Sequence, residues 1–283
     1  MSNKYFEINS NPFAGVSDFV TQKRTKQQKF ANFAGSDRPY LIRFAPPFDE
    51  NGFPYVIVKQ HNFLTLPTER GNQTISPVCL NFLLDIDNSP IKGLNEIILS
   101  KAVDSDKLDQ ETLEKWRLHG CPACYLANKL SLKFNKKDDK DMGAMGKLWQ
   151  SFRAFANIIW WPWNEQTKKY DRTAEQGINL IQPMSQKLFT GVVDKFNIGQ
   201  MSGINIFSPT NGLDAFLKVT GDNAAKRYSL EWDMATKPLA YDGEIYNLVD
   251  ELMTGVRSFN EIATALRNTE SIVTICKKYG VKL

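Results

Sequence analysis

Two cysteines separated by two residues are the feature that most restricts how this chain can fold. Cys121 and Cys124 flank the turn-forming Pro122 in the sequence HGCPAC (119–124). In a chain of 283 residues with four cysteines, this spacing indicates half a metal site or a redox pair, and not a disulfide scaffold. No thioredoxin-like strand–helix–strand pattern surrounds the pair, and two ordinary buried cysteines are the remaining alternative. Cys276 lies in a C-terminal helical pattern and is predicted to be a core residue.

The other half of a metal site has few candidates, because the chain contains only two histidines. Cys79 and either His61 or His119 would complete a tetrahedral set of nitrogen and sulfur ligands with the cysteine pair. The set His61, Cys79, Cys121 and Cys124 has intervals of 17, 41 and 2 residues, which are too irregular for a compact zinc finger. Four protein ligands leave no coordination position open, so the set predicts a structural Zn²⁺ ion.

Charge and hydropathy limit the class of protein. The chain is 42% hydrophobic with a net charge of +4, so it can bury a sizeable core and is only weakly basic overall. No run of 18 apolar residues occurs and the N-terminus lacks a signal-peptide pattern, so we expect an intracellular protein without a membrane partner. The acid-free run QKRTKQQKF contains Lys23, Arg24 and Lys26. It favours a polyanion or an acidic partner, and a solvated disordered arm is the alternative.

Runs rich in β-branched and aromatic residues, separated by turn-like segments, predict a core rich in strands. A helix with 3.6-residue spacing is predicted over 184–197, between two of these strands, and a flexible linker over 135–146. Several short strands with a helix between two of them favour a small barrel of the OB type. We therefore predict an α+β fold, mainly β, that contains an OB-like barrel. The predicted strands are 39–44, 54–61, 151–163, 178–183, 204–209, 214–221 and 227–233.

Helical patterns complete the prediction and divide the chain into three regions. Helices are expected within 95–119, and an amphipathic helix over 242–256. Ser258 and Glu261 form a capping-box pattern at the start of a last helix, 258–268. The predicted regions are a basic flexible arm at 1–36, an OB-like DNA-binding core at 37–240 with a zinc subdomain at about 61–125, and C-terminal helices at 241–283.

Several short motifs follow one another along the chain, and their order is more specific than any single one of them. It runs over about residues 39–265 and consists of Ile42-Arg43-Phe44-Ala45-Pro46, His61, Cys79, Cys121-Pro122-Ala123-Cys124, Phe155-Ala156-Asn157-Ile158 and Ala215-Phe216-Leu217-Lys218-Val219. This order resembles the zinc-containing single-stranded DNA-binding protein, or helix-destabilising protein, of T-even-type bacteriophages. In that family the order is I-R-F-x-P, a zinc-binding His, a Cys, C-P-x-C, an aromatic strand with A-N-I, and an F-x-L-K-V-like strand. The resemblance implies that His61, and not His119, is the nitrogen ligand of a zinc ion.

The resemblance also implies a function. It predicts a protein that coats and protects single-stranded DNA, without sequence specificity, during phage DNA replication, recombination and repair in the cytoplasm of the infected host cell. A basic N-terminal segment mediates cooperative binding in the family, so self-association through Lys23, Arg24 and Lys26 is expected. Phage replication proteins are expected partners, although the family's acidic tail is replaced here by TICKKYGVKL. The segment between Cys79 and Cys121 is longer than in the family.

Single-strand binders combine a basic groove for phosphates with aromatic side chains that stack on bases. Period-2 geometry places Arg153 and Phe155 on one face of a strand, and the resemblance puts an aromatic DNA contact at Phe155. Arg43 and Tyr228 resemble a family arginine near the DNA and a stacking tyrosine. Core positions for the aromatic residues and a solvated face for the basic ones are the alternatives. The predicted DNA-binding residues are Arg43, Lys59, Arg153, Phe155, Lys218, Arg227 and Tyr228.

An enzyme is not predicted. The sequence lacks the H-x-E motif that accompanies P-C-x-x-C in zinc deaminases, and it lacks HExxH and P-loop patterns. The alternative function is a zinc-stabilised protein–protein interaction module of a phage replication or transcription complex, because a fold by itself does not fix a function.

Overall fold

Strands and helices follow one another in groups along the chain. The computed structural model describes residues 29–48, 53–84, 110–221 and 226–283. The strands are β1 (Tyr40–Phe44), β2 (Tyr55–Gln60), β3 (Leu64–Thr68), β4 (Gly71–Ile75), β5 (Ser151–Trp161), β6 (Trp163–Asn164), β7 (Lys169–Tyr170), β8 (Ile178–Met184), β9 (Gly212–Thr220) and β10 (Arg227–Lys237). The helices are α1 (Leu80–Leu84), α2 (Gln110–His119), α3 (Pro122–Ser131), α4 (Asp139–Leu148), α5 (Gln186–Met201), α6 (Leu248–Met253), α7 (Phe259–Asn268) and α8 (Glu270–Tyr279).

The largest sheet has six strands in the order β10-β9-β1-β5-β2, with β8 also pairing with β5. Strand β1 runs antiparallel to β5 and β9. Strands β9 and β10 are antiparallel to each other, and so are β5 and β8. Among the described strands the path ends at β10 and β2 without closing, so the sheet is open. The α+β class is confirmed, whereas the expected OB-like barrel is not, because β10 and β2 do not pair in the described part of the chain. Helices take a share of the described chain comparable to that of strands, so the fold is not mainly β.

The chain divides into two compact units, and both are built from two segments. Unit 1 consists of residues 1–56 and 154–248, and unit 2 of residues 57–153 and 249–283. In unit 1 one core cluster is formed by Leu41, Ala45, Ile159 and Trp161, which are at most 6% exposed. These side chains come from β1, the residue after it, and β5. They lie at alternate positions, as expected for one buried face of a sheet.

Unit 2 carries the hairpin β3-β4 and helices from both of its segments. Helix α7 packs on β3 and on α3, and α8 packs on α4. The backbone N–H of Thr65 donates to Thr269 Oγ1 at 2.9 Å and joins β3 to the junction of α7 and α8. The capping box predicted for Ser258 and Glu261 is confirmed, since each side chain accepts from the other residue's backbone N–H. This arrangement satisfies two of the donors that a helix start leaves unpaired.

Most of the predicted elements are confirmed, with three corrections. Residues 204–209 form no strand. The predicted linker contains most of α4, whose first turn is capped by the Asp138 carboxylate through the N–H groups of Lys140 and Asp141. Only α6 forms within the amphipathic stretch 242–256. Helix α2 falls within the expected 95–119, and residues 95–109 lie outside the described ranges. No helix of the described part of the chain has the length and apolar character needed to cross a membrane.

Candidate metal centre

Two neighbouring backbone segments position the first two ligands. The His61 N–H donates to the Pro77 carbonyl at 3.0 Å, and the Cys79 N–H donates to the Lys59 carbonyl at 2.8 Å. These bonds flank an isolated antiparallel bridge between Gln60 and Val78. His61 directly follows β2 and Cys79 directly precedes α1. Both side chains are fully buried, so the pairing fixes them in one place within unit 2.

The cysteine pair lies at the start of α3. Cys121 is the residue before the helix and Cys124 lies in its first turn, with Pro122 at a position where a helix needs no N–H donor. Gly120 supplies the left-handed backbone, with φ of 70°, that turns the chain into the helix. The Cys121 N–H donates to Asn81 Oδ1 at 2.6 Å and ties this start to α1. A helix N-terminus favours negative charge, so it suits two thiolates.

The four side chains converge on one point. All four ligand atoms lie within 4.8 Å of one another. Cys79 Sγ is 3.5 Å from Cys124 Sγ, and His61 Nε2 is 3.3 Å from Cys121 Sγ and 3.8 Å from Cys124 Sγ. A tetrahedral ion with bonds of about 2.3 Å to sulfur and about 2.0 Å to nitrogen sets these spacings at about 3.5–3.8 Å. The group could therefore hold one metal ion. All four cysteines of the chain are free thiols in this structure.

Two further groups orient the ligands. His61 Nδ1 lies 2.7 Å from the Leu148 carbonyl, which requires Nδ1 to carry the proton and leaves Nε2 free to coordinate. The Gln150 amide donates to Cys79 Sγ at 3.0 Å and to Cys124 Sγ at 3.2 Å. Hydrogen bonds of this kind fix the orientation of ligands and are a usual part of a metal site. The sequence contains no motif that marks Gln150 or the Leu148 carbonyl for this role.

The electrostatics of the group match a site for a cation. Burial by itself lowers the pKa of His61, but hydrogen bonds and charges from Cys121 and Cys124 outweigh it and raise that pKa to about 10. Hydrogen bonds from Cys124, Cys79 and His61 lower the pKa of Cys121. The same bonds from Cys121 and Cys124, together with burial, raise the pKa of Cys79. Negative charge is thus concentrated among buried sulfur atoms, where a bound cation would stabilise the thiolates.

The structure separates His61 from the competing residues. His119 is exposed at the end of α2, with its ring 6.4 Å from that of Phe259, and it is not part of the metal group. Cys276 is 1% exposed within α8, which confirms the prediction of a core cysteine. Burial raises the pKa of its thiol.

Comparison of the sequence with models of known protein families and with curated proteins finds no match.

Arg43 is part of the interior of unit 1. Its side chain is 1% exposed, with Nε 3.2 Å from Asp214 Oδ1, and it donates to the Lys237 carbonyl. Arg172 approaches the same carboxylate through Nε at 2.6 Å. The predicted DNA contact is wrong for Arg43, because a buried guanidinium that is paired with a buried carboxylate offers no surface to a phosphate.

Phe155 is also a buried residue. It is 7% exposed, and the ring of Phe30 meets it edge to face at a centroid distance of 6.0 Å. The chain around Phe30 is held beside β8, because Ala31 N–H donates to the Ile181 carbonyl at 2.8 Å and Ile181 N–H donates to the Lys29 carbonyl at 2.7 Å. The predicted base contact is wrong for Phe155, because its ring is covered by the chain itself.

The remaining predicted DNA residues lie at or near the surface. Lys218 and Arg227 are exposed, whereas Tyr228 is half-buried and burial raises its pKa. Lys218 lies opposite Ser229, two residues beyond Arg227, so the two cations are diagonal neighbours on one face of β9 and β10. Arg153 and Lys59 are half-buried in β5 and β2. The self-association residues Lys23, Arg24 and Lys26 lie outside the described residues.

Proposed function

We propose that this chain is a non-catalytic single-stranded DNA-binding protein in which Zn²⁺ stabilises unit 2. The observation that carries the proposal is the group of His61, Cys79, Cys121 and Cys124, which occurs in the same order as in the phage helix-destabilising proteins that the sequence resembles. By that resemblance the protein acts on phage DNA in an infected cell, where it coats and protects single strands.

Zinc is the metal that best suits this donor set. One imidazole and three thiolates at tetrahedral spacing are the ligands of many structural zinc sites. Harder ions such as Mg²⁺ and Ca²⁺ fit less well, because they prefer oxygen ligands and the four residues of the group offer only nitrogen and sulfur. Four protein ligands leave no position for a substrate or an activated water, so the ion's role is structural.

Surface cations support a phosphate-binding role for unit 1. Lys218 and Arg227 project from the same face of adjacent strands, and no ion pair involving either one is present in the described part of the chain. Each lysine or arginine that neutralises a phosphate releases condensed counterions, so the affinity falls as salt rises. Removal of one such contact reduces the salt slope by about one.

The experiment that tests the proposal is a titration of the full chain with a labelled oligodeoxythymidine at several salt concentrations. We expect saturable binding that weakens with salt, and a shallower slope for Lys218→Ala and for Arg227→Ala. The matched control is Lys168→Ala, since Lys168 is an exposed cation of unit 1 that already pairs with Glu165 at 2.9 Å. Absence of binding at low salt would overturn the proposal. Tighter binding to oligouridine than to oligodeoxythymidine would assign the protein to RNA instead.

One observation favours a second candidate, a zinc-stabilised protein–protein interaction module. Unit 2 has a surface pocket of ≈ 330 Å³ beside α3 and α7. Its apolar lining includes Pro122, Leu126, Phe259, Ala263 and Leu266. Tyr125→Ala at its rim would separate the two functions, because it should leave DNA affinity unchanged under the leading proposal and weaken capture of a partner protein under this one.

A further inference from the structure

Unit 2 contains a second surface pocket, of ≈ 370 Å³, lined by Ser131, Phe134, Lys136, Met142 and Trp149. Trp149 is 39% exposed although it is one of the largest apolar side chains, and Met142 is 37% exposed. The Phe134 ring is 9% exposed and meets the Trp149 ring edge to face at a centroid distance of 5.8 Å. The buried phenyl ring thus supports an indole that remains partly open to solvent. We call this feature the Trp149 pocket.

The charges around the Trp149 pocket favour an anionic ligand. Lys136 lines it, and Lys137 and Lys140 are exposed nearby in sequence. Lys278 Nζ lies 2.8 Å from Asp138 and 2.9 Å from Asp141, so this one lysine offsets one of the two neighbouring negative charges and the other offsets one pocket lysine. The Asp139 carboxylate is exposed and offsets a second of the three lysines. The balance at the pocket is therefore positive.

The backbone that carries Trp149 is held at both ends of the residue. Its own N–H donates to the Met145 carbonyl at 2.9 Å and ends α4. The next residue, Gln150, donates to the sulfur atoms of Cys79 and Cys124. The metal group and the Trp149 pocket therefore share one short segment, and the Phe134 ring packs against the indole before any ligand arrives. A ring that is already ordered loses little conformational entropy on binding.

We propose that the Trp149 pocket binds one base of single-stranded DNA, with the base stacked on the indole and Lys136 at the adjoining phosphate. The inference rests on the proposed function and adds to it a base-binding site in the metal-bearing unit. A flat aromatic surface with cations beside it is the arrangement that recognises a base together with its backbone, and stacking on it is tolerant of sequence. Lys136 supplies hydrogen-bond donors at the edge of the pocket.

Three variants of the full chain test the inference through the affinity for a labelled oligodeoxythymidine. Trp149→Leu keeps apolar contact with Phe134 but removes the aromatic face, and its affinity should fall by about 5- to 150-fold. Trp149→Phe keeps a smaller aromatic face and should lose less affinity. Tyr125→Leu is the matched control, since Tyr125 is 54% exposed in the same unit outside this pocket, and its affinity should not change. Circular dichroism and metal content establish that each variant is folded.

The outcomes separate the inference from the proposed function. Binding by the wild type with equal affinity for Trp149→Leu would overturn the Trp149 pocket and leave the proposed function intact. Equal losses in Trp149→Leu and Tyr125→Leu would also overturn it, because the effect would not be specific to this ring. Absence of wild-type binding would overturn both. A Lys136→Ala variant whose salt slope is shallower by about one would support the phosphate contact, and an unchanged slope would remove it.

Discussion

Loss of the proposed Zn²⁺ ion should unfold unit 2. The four ligands connect three chain segments, namely the end of β2, the residue before α1 and the first turn of α3. His61, Cys79 and Cys121 are 0% exposed, so without an ion their polar atoms stay desolvated. Structural zinc binds with an apparent free energy of about 10–16 kcal/mol in zinc-finger peptides. Whole domains are stable by only about 5–15 kcal/mol, so the metal-free unit should not keep its fold.

The perturbation is Cys121→Ser, and the matched control is Cys276→Ser. Both cysteines are buried, at 0% and 1% exposure, but only Cys121 belongs to the metal group. We expect Cys121→Ser to lower the metal content of the purified chain and to lose much of its helical signal and protease resistance. The control should keep its metal and lose stability only by the cost of burying one hydroxyl, about 1–3 kcal/mol.

The assay combines metal analysis with thermal unfolding followed by circular dichroism, before and after treatment with a chelator. The wild type should lose an unfolding transition on chelation and regain it when Zn²⁺ is added back. Equal melting curves with and without chelator, or equal destabilisation by the two serine variants, would refute the reasoning.

Three further predictions address stability and pH. Asp214→Asn should lower the free energy of unfolding by about 3–5 kcal/mol in urea titrations, because it leaves the buried Arg43 guanidinium without its carboxylate. A loss below about 1 kcal/mol would contradict this. Ser258→Ala should cost about 1 kcal/mol through the lost capping box, and a neutral result would show that the cap contributes little. Acidification should release the metal, because protons compete for thiolates and imidazole, and metal retained at low pH would oppose the assignment of ligands.

The positions of several strands were predictable from local pattern. Runs rich in β-branched and aromatic residues located β1, β5 and β8 within a residue or two, because such residues favour strands through local sequence. The capping box of α7 was also predictable from local sequence, because Ser258 and Glu261 lie within one helical turn. The prediction of a linker at 135–146 was wrong, because Asp138 caps α4 and this helix packs on α8.

The DNA contacts were the least predictable part, and Arg43 shows why. Alternation correctly placed it on the opposite face from Ile42 and Phe44, but the same pattern arises whether that face meets solvent or a second layer. Arg43 is buried as an ion pair with Asp214, which lies opposite Arg43 only because β9 pairs with β1. The prediction of a base contact at Phe155 was wrong for the same reason, because Phe30, which covers the ring, is distant in sequence.

The metal group combines both kinds of information. The C-x-x-C spacing places two sulfur atoms at one helix start, because two positions three residues apart lie on the same face of a helical turn. The resemblance already favoured His61 over His119, whereas the contact of His61 with the cysteines and the hydrogen bonds from Gln150 depend on the pairing of segments far apart in the chain. Spacing along a chain fixes only local geometry, whereas burial and the identity of neighbours arise when distant segments pack together.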